Sequence, residues 1–206
     1  MTSFNDNAEE YDRWFDRNTQ IYQTEIEALR RFVPNKGFGL EIGVGTGRFS
    51  IPLGIAIGVD PAAAMARIAK TKNVSVVLAE GEHLPFREGQ FDFALMVTVI
   101  CFVKNVPQLL REARRVLKKG GRIVIGFVDR ESVLGRLYES RKDTRKFYQE
   151  AHFFSVPEVT AMVQKAGFAE IYFGQAIFGL PGNDVAAGQV RDGYGEGAFV
   201  VLSAAI

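Results

Sequence analysis

The run Leu40-Glu41-Ile42-Gly43-Val44-Gly45-Thr46-Gly47 is the stretch best suited to hold a ligand on its backbone. Glycine takes positive φ without a Cβ clash and lets a ligand lie directly on the main chain, and the helix expected after such a turn offers unpaired N–H groups. Asp60 closes the apolar run Ile57-Gly58-Val59-Asp60, 17 positions after Gly43, where a carboxylate meets a ribose in this kind of unit. It could equally cap the helix opened by Pro61, and the two roles are compatible. Taken alone, the loop could also be a tight strand-to-helix turn without a ligand.

The type of ligand follows from two neighbours. A dinucleotide fingerprint started at Gly43 and Gly45 needs its third glycine where Arg48 stands, so the pattern fails at its last position. Glu41, two residues before Gly43, is an anion that suits a ligand carrying an ammonium group better than a pyrophosphate.

Further motifs follow in order: Glu80-Gly81-Glu82-His83-Leu84-Pro85-Phe86, then Phe91-Asp92, then 109–124 with Lys118-Lys119-Gly120-Gly121-Arg122. With these, the chain from about Gly37 to Gly167 resembles the class I S-adenosylmethionine-dependent methyltransferases, in particular the small-molecule branch similar to the ubiquinone and menaquinone biosynthesis enzymes. The resemblance implies S-adenosyl-L-methionine as cofactor and S-adenosyl-L-homocysteine as product. It implies that Gly43, Gly45 and Gly47 pass under the methionine part and that Glu41 holds the loop or the cofactor's amino group. Asp60, with Pro61 beside it, would take the ribose. Glu80 would take the adenine amino group, where most relatives have Asp, with Gly81 and Glu82 offering backbone atoms. Val97 and Thr98 would meet the methionine end, and Phe102 would either wall the transfer site or serve as core. Where many relatives place polar groups after the fourth strand, this chain reads Val99-Ile100-Cys101-Phe102.

A sulfonium is already a reactive methyl donor, so positioning and exclusion of water carry most of the task. No base is named by the sequence; Tyr11, Tyr22, Asp129, Tyr148 and His152 are the groups that could take a proton. His83 and His152 have no partner at ligand spacing, so no metal site is expected. Two rival readings are a protein that binds S-adenosylmethionine without transferring its methyl group, and an NAD-dependent oxidoreductase on the same fold, against which Arg48 stands.

The elements that must position these residues alternate. Apolar runs at 38–43, 55–60, 74–79, 91–97, 122–128, 168–173 and 198–203 read as seven strands. After Asn105, Val106, Leu109, Leu110, Ala113, Val116 and Leu117 follow helical period until Gly120 and Gly121; a second helix opens on the capping box Ser155 to Glu158 and stops at Gly167. Strands of nearly continuous apolar residues alternating with helices predict an α/β, Rossmann-like doubly wound fold: a seven-stranded, mostly parallel sheet with an antiparallel C-terminal strand and helices on both faces. The first 36 residues carry Tyr11, Trp14, Phe15 and Tyr22 outside this pattern. They read as one or two helices that either pack on the sheet or form a lid.

The 206 residues are expected to form one methyltransferase domain, 1–36 being the lid segment and 37–206 the core, with 129–154 and 174–197 on the substrate side. Twenty-five basic against 24 acidic residues leave a formal charge of +1, with no block that suits nucleic acid or a membrane surface. No leader-like or membrane-spanning run is evident, which points to the cytoplasm. Cys101 is the only cysteine and reads as a buried thiol. A small-molecule methyl acceptor, and a monomer or homodimer, complete the expectation.

Overall fold

The computed structural model describes residues 2–144, 146–179 and 189–206. Three helices come first, α1 (Thr2–Asp6), α2 (Ala8–Arg17) and α3 (Thr19–Arg30), where one or two were expected. Then follow β1 (Gly39–Ile42), β2 (Ile57–Val59), α4 (Ala63–Thr71), β3 (Ser75–Val77), β4 (Phe91–Val97), α5 (Val106–Val116), β5 (Leu117–Val128), α6 (Val133–Arg141), α7 (Val156–Lys165), β6 (Ala169–Phe178), β7 (Val190–Asp192) and β8 (Gly197–Ala205).

Among the described residues the strands form one sheet in the order β3-β2-β1-β4-β5-β8-β6-β7. The sheet therefore has eight strands rather than seven; the extra one, β7, is three residues long and pairs antiparallel with β6. Strands β1 to β5 pair in parallel, and β8 lies antiparallel between β5 and β6. Side chains alternate between two cores. Leu40, Ile42, Ala94, Met96, Ile123 and Ile125 share one with α5 and α7, whereas Phe93, Leu95, Val97, Val124, Phe199 and Val201 share the other with α3. This period of two is what a strand buried on both faces produces.

Local signals explain the firmest helices. The Asn105 side chain accepts from Gln108 N–H at 3.1 Å, and Leu109, Leu110, Ala113 and Val116 are buried along one stripe. The helix ends at Val116, before Gly120, because 117–121 already belongs to β5. At α7 the capping box forms in both directions, with Ser155 N–H donating to Glu158 Oε2 at 2.7 Å. The helix expected directly after β1 is replaced by a series of turns over 43–54. Pro52 and Gly54 interrupt any longer helix there.

No helix among the described residues is long and apolar enough to cross a membrane. Of the stretch 174–197, residues 180–188 lie outside the described residues.

Candidate active site

A cavity of about 390 Å³ opens at the carboxyl ends of β1 to β4, astride the point where the strand order reverses. Open α/β sheets bind their ligands at this crevice. Gly43 and Gly45 follow β1, Asp60 and Pro61 follow β2, Glu80 to Glu82 follow β3, and Val97, Thr98 and Phe102 belong to or follow β4. The first three helices roof it with Phe4, Tyr11, Trp14, Phe15 and Glu25, and the segment after α6 adds Lys146, Phe147 and Tyr148.

The loop needs its glycines for different reasons. Gly43 has φ +73°, and a Cβ there would lie 2.4 Å from Val99 Cγ2. Gly45 has φ +53° and open space up to Tyr11 Cε1 at 3.7 Å, so backbone conformation alone selects it. Gly45 N–H donates to Asp60 Oδ2 and Ala62 N–H to Asp60 Oδ1, each at 2.8 Å. Asp60 is thus a cap, and it still lines the cavity. An ionised carboxylate has about four acceptor positions, so about two are left for a ribose. Burial raises its pKa above the ordinary carboxylate value, and the two amides pull it back.

Glu41 and Gly47 do not line the cavity. Glu41 is buried beneath the loop, where the Ser50 hydroxyl donates to Oε2. Burial pushes its carboxyl up to about 8, against the Ser50 bond and with help from Asp60. Of the two roles expected for Glu41, the geometry fits support of the loop. Gly47 is where α4 packs: a Cβ would stand 3.2 Å from Val74 Cγ2 and 3.3 Å from Ala69 Cβ. Arg48, which breaks the dinucleotide pattern, reaches the roof instead. Its Nε donates to Asp12 Oδ1 and its Nη1 to Asp16 Oδ1, both at 2.7 Å, and Lys72 also pairs with Asp12. Burial opposes ionisation of Asp12, yet the Arg48 and Lys72 bonds hold it down to about 2.

Thr98 has φ +52°, and its N–H donates to Gly126 O at 2.8 Å. Such a conformation costs about 1–3 kcal/mol and persists where the surroundings impose it, often at a site.

The candidate proton acceptors divide. Tyr22 lies outside the cavity and donates its phenol to Arg48 O at 2.5 Å. His152 is exposed and stacks edge-on against Phe154 at 4.7 Å, also outside the cavity. Asp129 is buried and accepts from Glu131 N–H at 3.2 Å at the turn into α6. None of these three reaches the site. Tyr11 and Tyr148 do line it, but burial drives both phenols well above their usual pKa, so neither is a base near neutrality. Cys101 is buried and pushed up to about 12, an inert thiol. Among the described residues no group of His, Cys, Asp and Glu could hold a metal.

Glu25 in α3 is absent from the sequence-based candidates. It is 8% exposed and lines the cavity, and burial pushes its carboxyl up to about 8. A signal exists: Tyr22, Glu25, Ile26 and Leu29 share the i, i+3, i+4, i+7 stripe, so a charge lies on an apolar face.

The site suits an adenosyl sulfonium ligand. Asp60 keeps acceptor positions toward the cavity, and Ala62, Met65, Ala79 and Glu80 line it. Residues 40–125 match a family model described as a methyltransferase domain. The chain is 50% identical over 204 residues to an uncharacterized protein of Methanocaldococcus jannaschii, covering 99% of this chain and 98% of that one. It is 29% identical to the demethylmenaquinone methyltransferase of Lactiplantibacillus plantarum, over 68% of this chain and 73% of the relative. A crystal structure from Thermotoga maritima, described as a SAM-dependent methyltransferase and possible histamine N-methyltransferase, superposes with a TM-score of 0.96 at 46% identity, covering 99% of this chain and 98% of that one.

Proposed function

Because the chain belongs to the S-adenosylmethionine-dependent methyltransferases, we propose that its cavity holds the cofactor along Gly43, Gly45 and Asp60 and passes the methyl group to a small molecule bound under the N-terminal helices. The observation that carries this reading is the meeting of the glycine loop and Asp60 in one cavity of about 390 Å³. That volume suits ligands of small-molecule size, since such pockets span roughly 300–1,000 Å³.

When bound, the cofactor supplies an electrophilic methyl on a positively charged sulfur. The protein's share is to hold and shield it. Asp60 would accept from the ribose hydroxyls, Glu80 from the adenine amino group, and the open backbone at Gly45 would carry the methionine portion. Val97 at the end of β4 and Thr98 after it would bound that portion, with Phe102 as a wall. Phe4 packs on Phe102 at 5.0 Å and on Phe147 at 5.6 Å, so the roof excludes water over the transfer site. Alignment and exclusion of this kind can supply roughly 7–11 kcal/mol of a barrier.

The direct test is calorimetry with S-adenosylhomocysteine and with NAD, followed by assay of S-adenosylhomocysteine release over a metabolite panel that includes histamine. Micromolar S-adenosylhomocysteine binding without NAD binding is expected. Heat from NAD and none from S-adenosylhomocysteine would overturn the reading.

A further inference from the structure

One deeply buried polar group has no part in the roles proposed so far. The Glu25 carboxylate makes no hydrogen bond and no ion pair among the described residues, though it is only 8% exposed and faces the cavity. Glu41 and Asp60 are buried as deeply and each has a donor: Ser50 for Glu41, and the Gly45 and Ala62 amides for Asp60. A buried carboxylate without a donor is unfavourable, so Glu25 keeps a proton near neutrality until a cation pairs with it and restores its charge. Its surroundings suit such a partner. Tyr11, Phe15 and Tyr148 wall the same cavity with aromatic rings, Tyr11 and Phe15 meeting edge-on at 5.3 Å. Aromatic faces attract a cation and offer nothing to an anion.

We infer that Glu25 receives the protonated amino group of the methyl acceptor, which makes the acceptor an amine. The inference rests on the proposed methyl transfer and names the substrate class for that site. Position sets Glu25 apart from the proposed ribose and adenine contacts, though not from the methionine end beside Gly45, over which Tyr11 stands. Asp60 and Glu80 follow β2 and β3 on one flank of the sheet, whereas α3 packs on β6, β7 and β8 on the other. The chemistry is complete with groups at hand. The Glu25 carboxylate takes a proton from the ammonium, and the freed nitrogen lone pair forms the bond to the methyl carbon. The carbon–sulfur bond breaks with its electron pair moving to sulfur, and the product leaves as a methylated ammonium. A carboxyl already pushed upward by burial is a better proton acceptor than an exposed one. Tyr11 from α2, Tyr22 on α3 itself and Tyr148 couple to it electrostatically, and of the two lysines that line the same cavity, Lys104 and Lys146, the second is paired with Glu10 at 2.8 Å.

The test uses the full chain saturated with S-adenosylhomocysteine. 2-Phenylethylamine and n-butylamine are titrated against the alcohols of the same skeletons. The wild type should bind at least one amine tenfold or more tightly than its alcohol, Glu25→Gln should erase that preference, and Glu25→Asp should keep part of it. Affinities of Glu25→Gln for S-adenosylhomocysteine and for 5′-methylthioadenosine should both match the wild type. Equal affinity of the wild type for amine and alcohol, or no amine binding at millimolar concentration, overturns the inference without any variant. So does a preference that survives in Glu25→Gln. A loss of S-adenosylhomocysteine affinity with 5′-methylthioadenosine unchanged also overturns it, since Glu25 would then hold the cofactor's ammonium. Failure of the wild type to bind S-adenosylhomocysteine at all would instead defeat the proposed function.

Discussion

At Asp60, two backbone amides and the proposed ribose share one carboxylate, and substitution separates these duties. An amide side chain keeps a single acceptor oxygen, so Asp60→Asn should leave one backbone N–H unpaired, at about 1–3 kcal/mol of stability, and weaken S-adenosylhomocysteine binding about tenfold or more. Chemical denaturation and calorimetry read the two effects separately, and unchanged affinity in the folded variant would mean that Asp60 is only a cap. Glu41 makes a different prediction. Its folded-state pKa of about 8 lies above the ordinary 4.5, so the folded protein holds the extra proton between those values. The stability that this proton contributes should be fully present below about pH 4.5 and fall toward pH 8, at about 1.4 kcal/mol per pH unit for each full proton of difference. Urea midpoints of Glu41→Gln should show a shallower fall than the wild type over that range; parallel curves would contradict it. Much of this site is legible in the sequence, because Gly43, Gly45 and Asp60 act through local backbone geometry that a short motif encodes. The direction in which an isolated side chain points is set by tertiary packing. That is why Tyr22 and His152 look as eligible as Tyr11 in the sequence, and why Glu25 does not stand out there.

Among the elements, α2 is tied to the glycine loop by Arg48 rather than by apolar contact alone. Asp12 is held down to about 2, so this tie is fully formed above the unfolded carboxyl's ordinary value of 3.8 and is lost only as pH falls toward 2. Arg48→Ala should free α2 from the loop while leaving the sheet intact. Trypsin cleavage at Arg13 and Arg17 is expected to quicken several-fold, and addition of S-adenosylhomocysteine to slow it. Trp14 is 38% exposed, lines the cavity and is the sole tryptophan, so its emission should shift with the same ligand. If neither cleavage nor emission responds at saturation, the N-terminal helices are fixed scaffold. The Asn105 and Ser155 caps can be read from sequence because each is a local exchange of hydrogen bonds. The turn series after β1 and the short strand β7 cannot, since Pro52 and Gly54 leave a stretch too brief to show a helical period and a strand as short as β7 cannot display an alternation.

Across the whole molecule, β8 joins the two halves of the sheet and presents one face to each core. Phe199 is fully buried, and a Cβ on Gly126 would lie 2.6 Å from its ring, so the two residues interlock across β5 and β8. Phe199→Ala should therefore cost about 3–5 kcal/mol, measurable as a lower urea midpoint; a loss under about 1 kcal/mol would show that the seam closes up around the gap. The parallel part of the sheet follows from the alternation of runs, whereas the position of β8 between two earlier strands is a pairing between distant parts of the chain. That placement has a consequence for biosynthesis. A ribosome delivers both neighbours of β8 before β8 itself, so β5 and β6 wait with unpaired edges while β8 is still being translated. Such edges recruit other chains. A nascent chain stalled just before Gly197 should thus be the species that chaperones hold and that aggregates, and release of β8 from the ribosome should be the event that commits the protein to its fold.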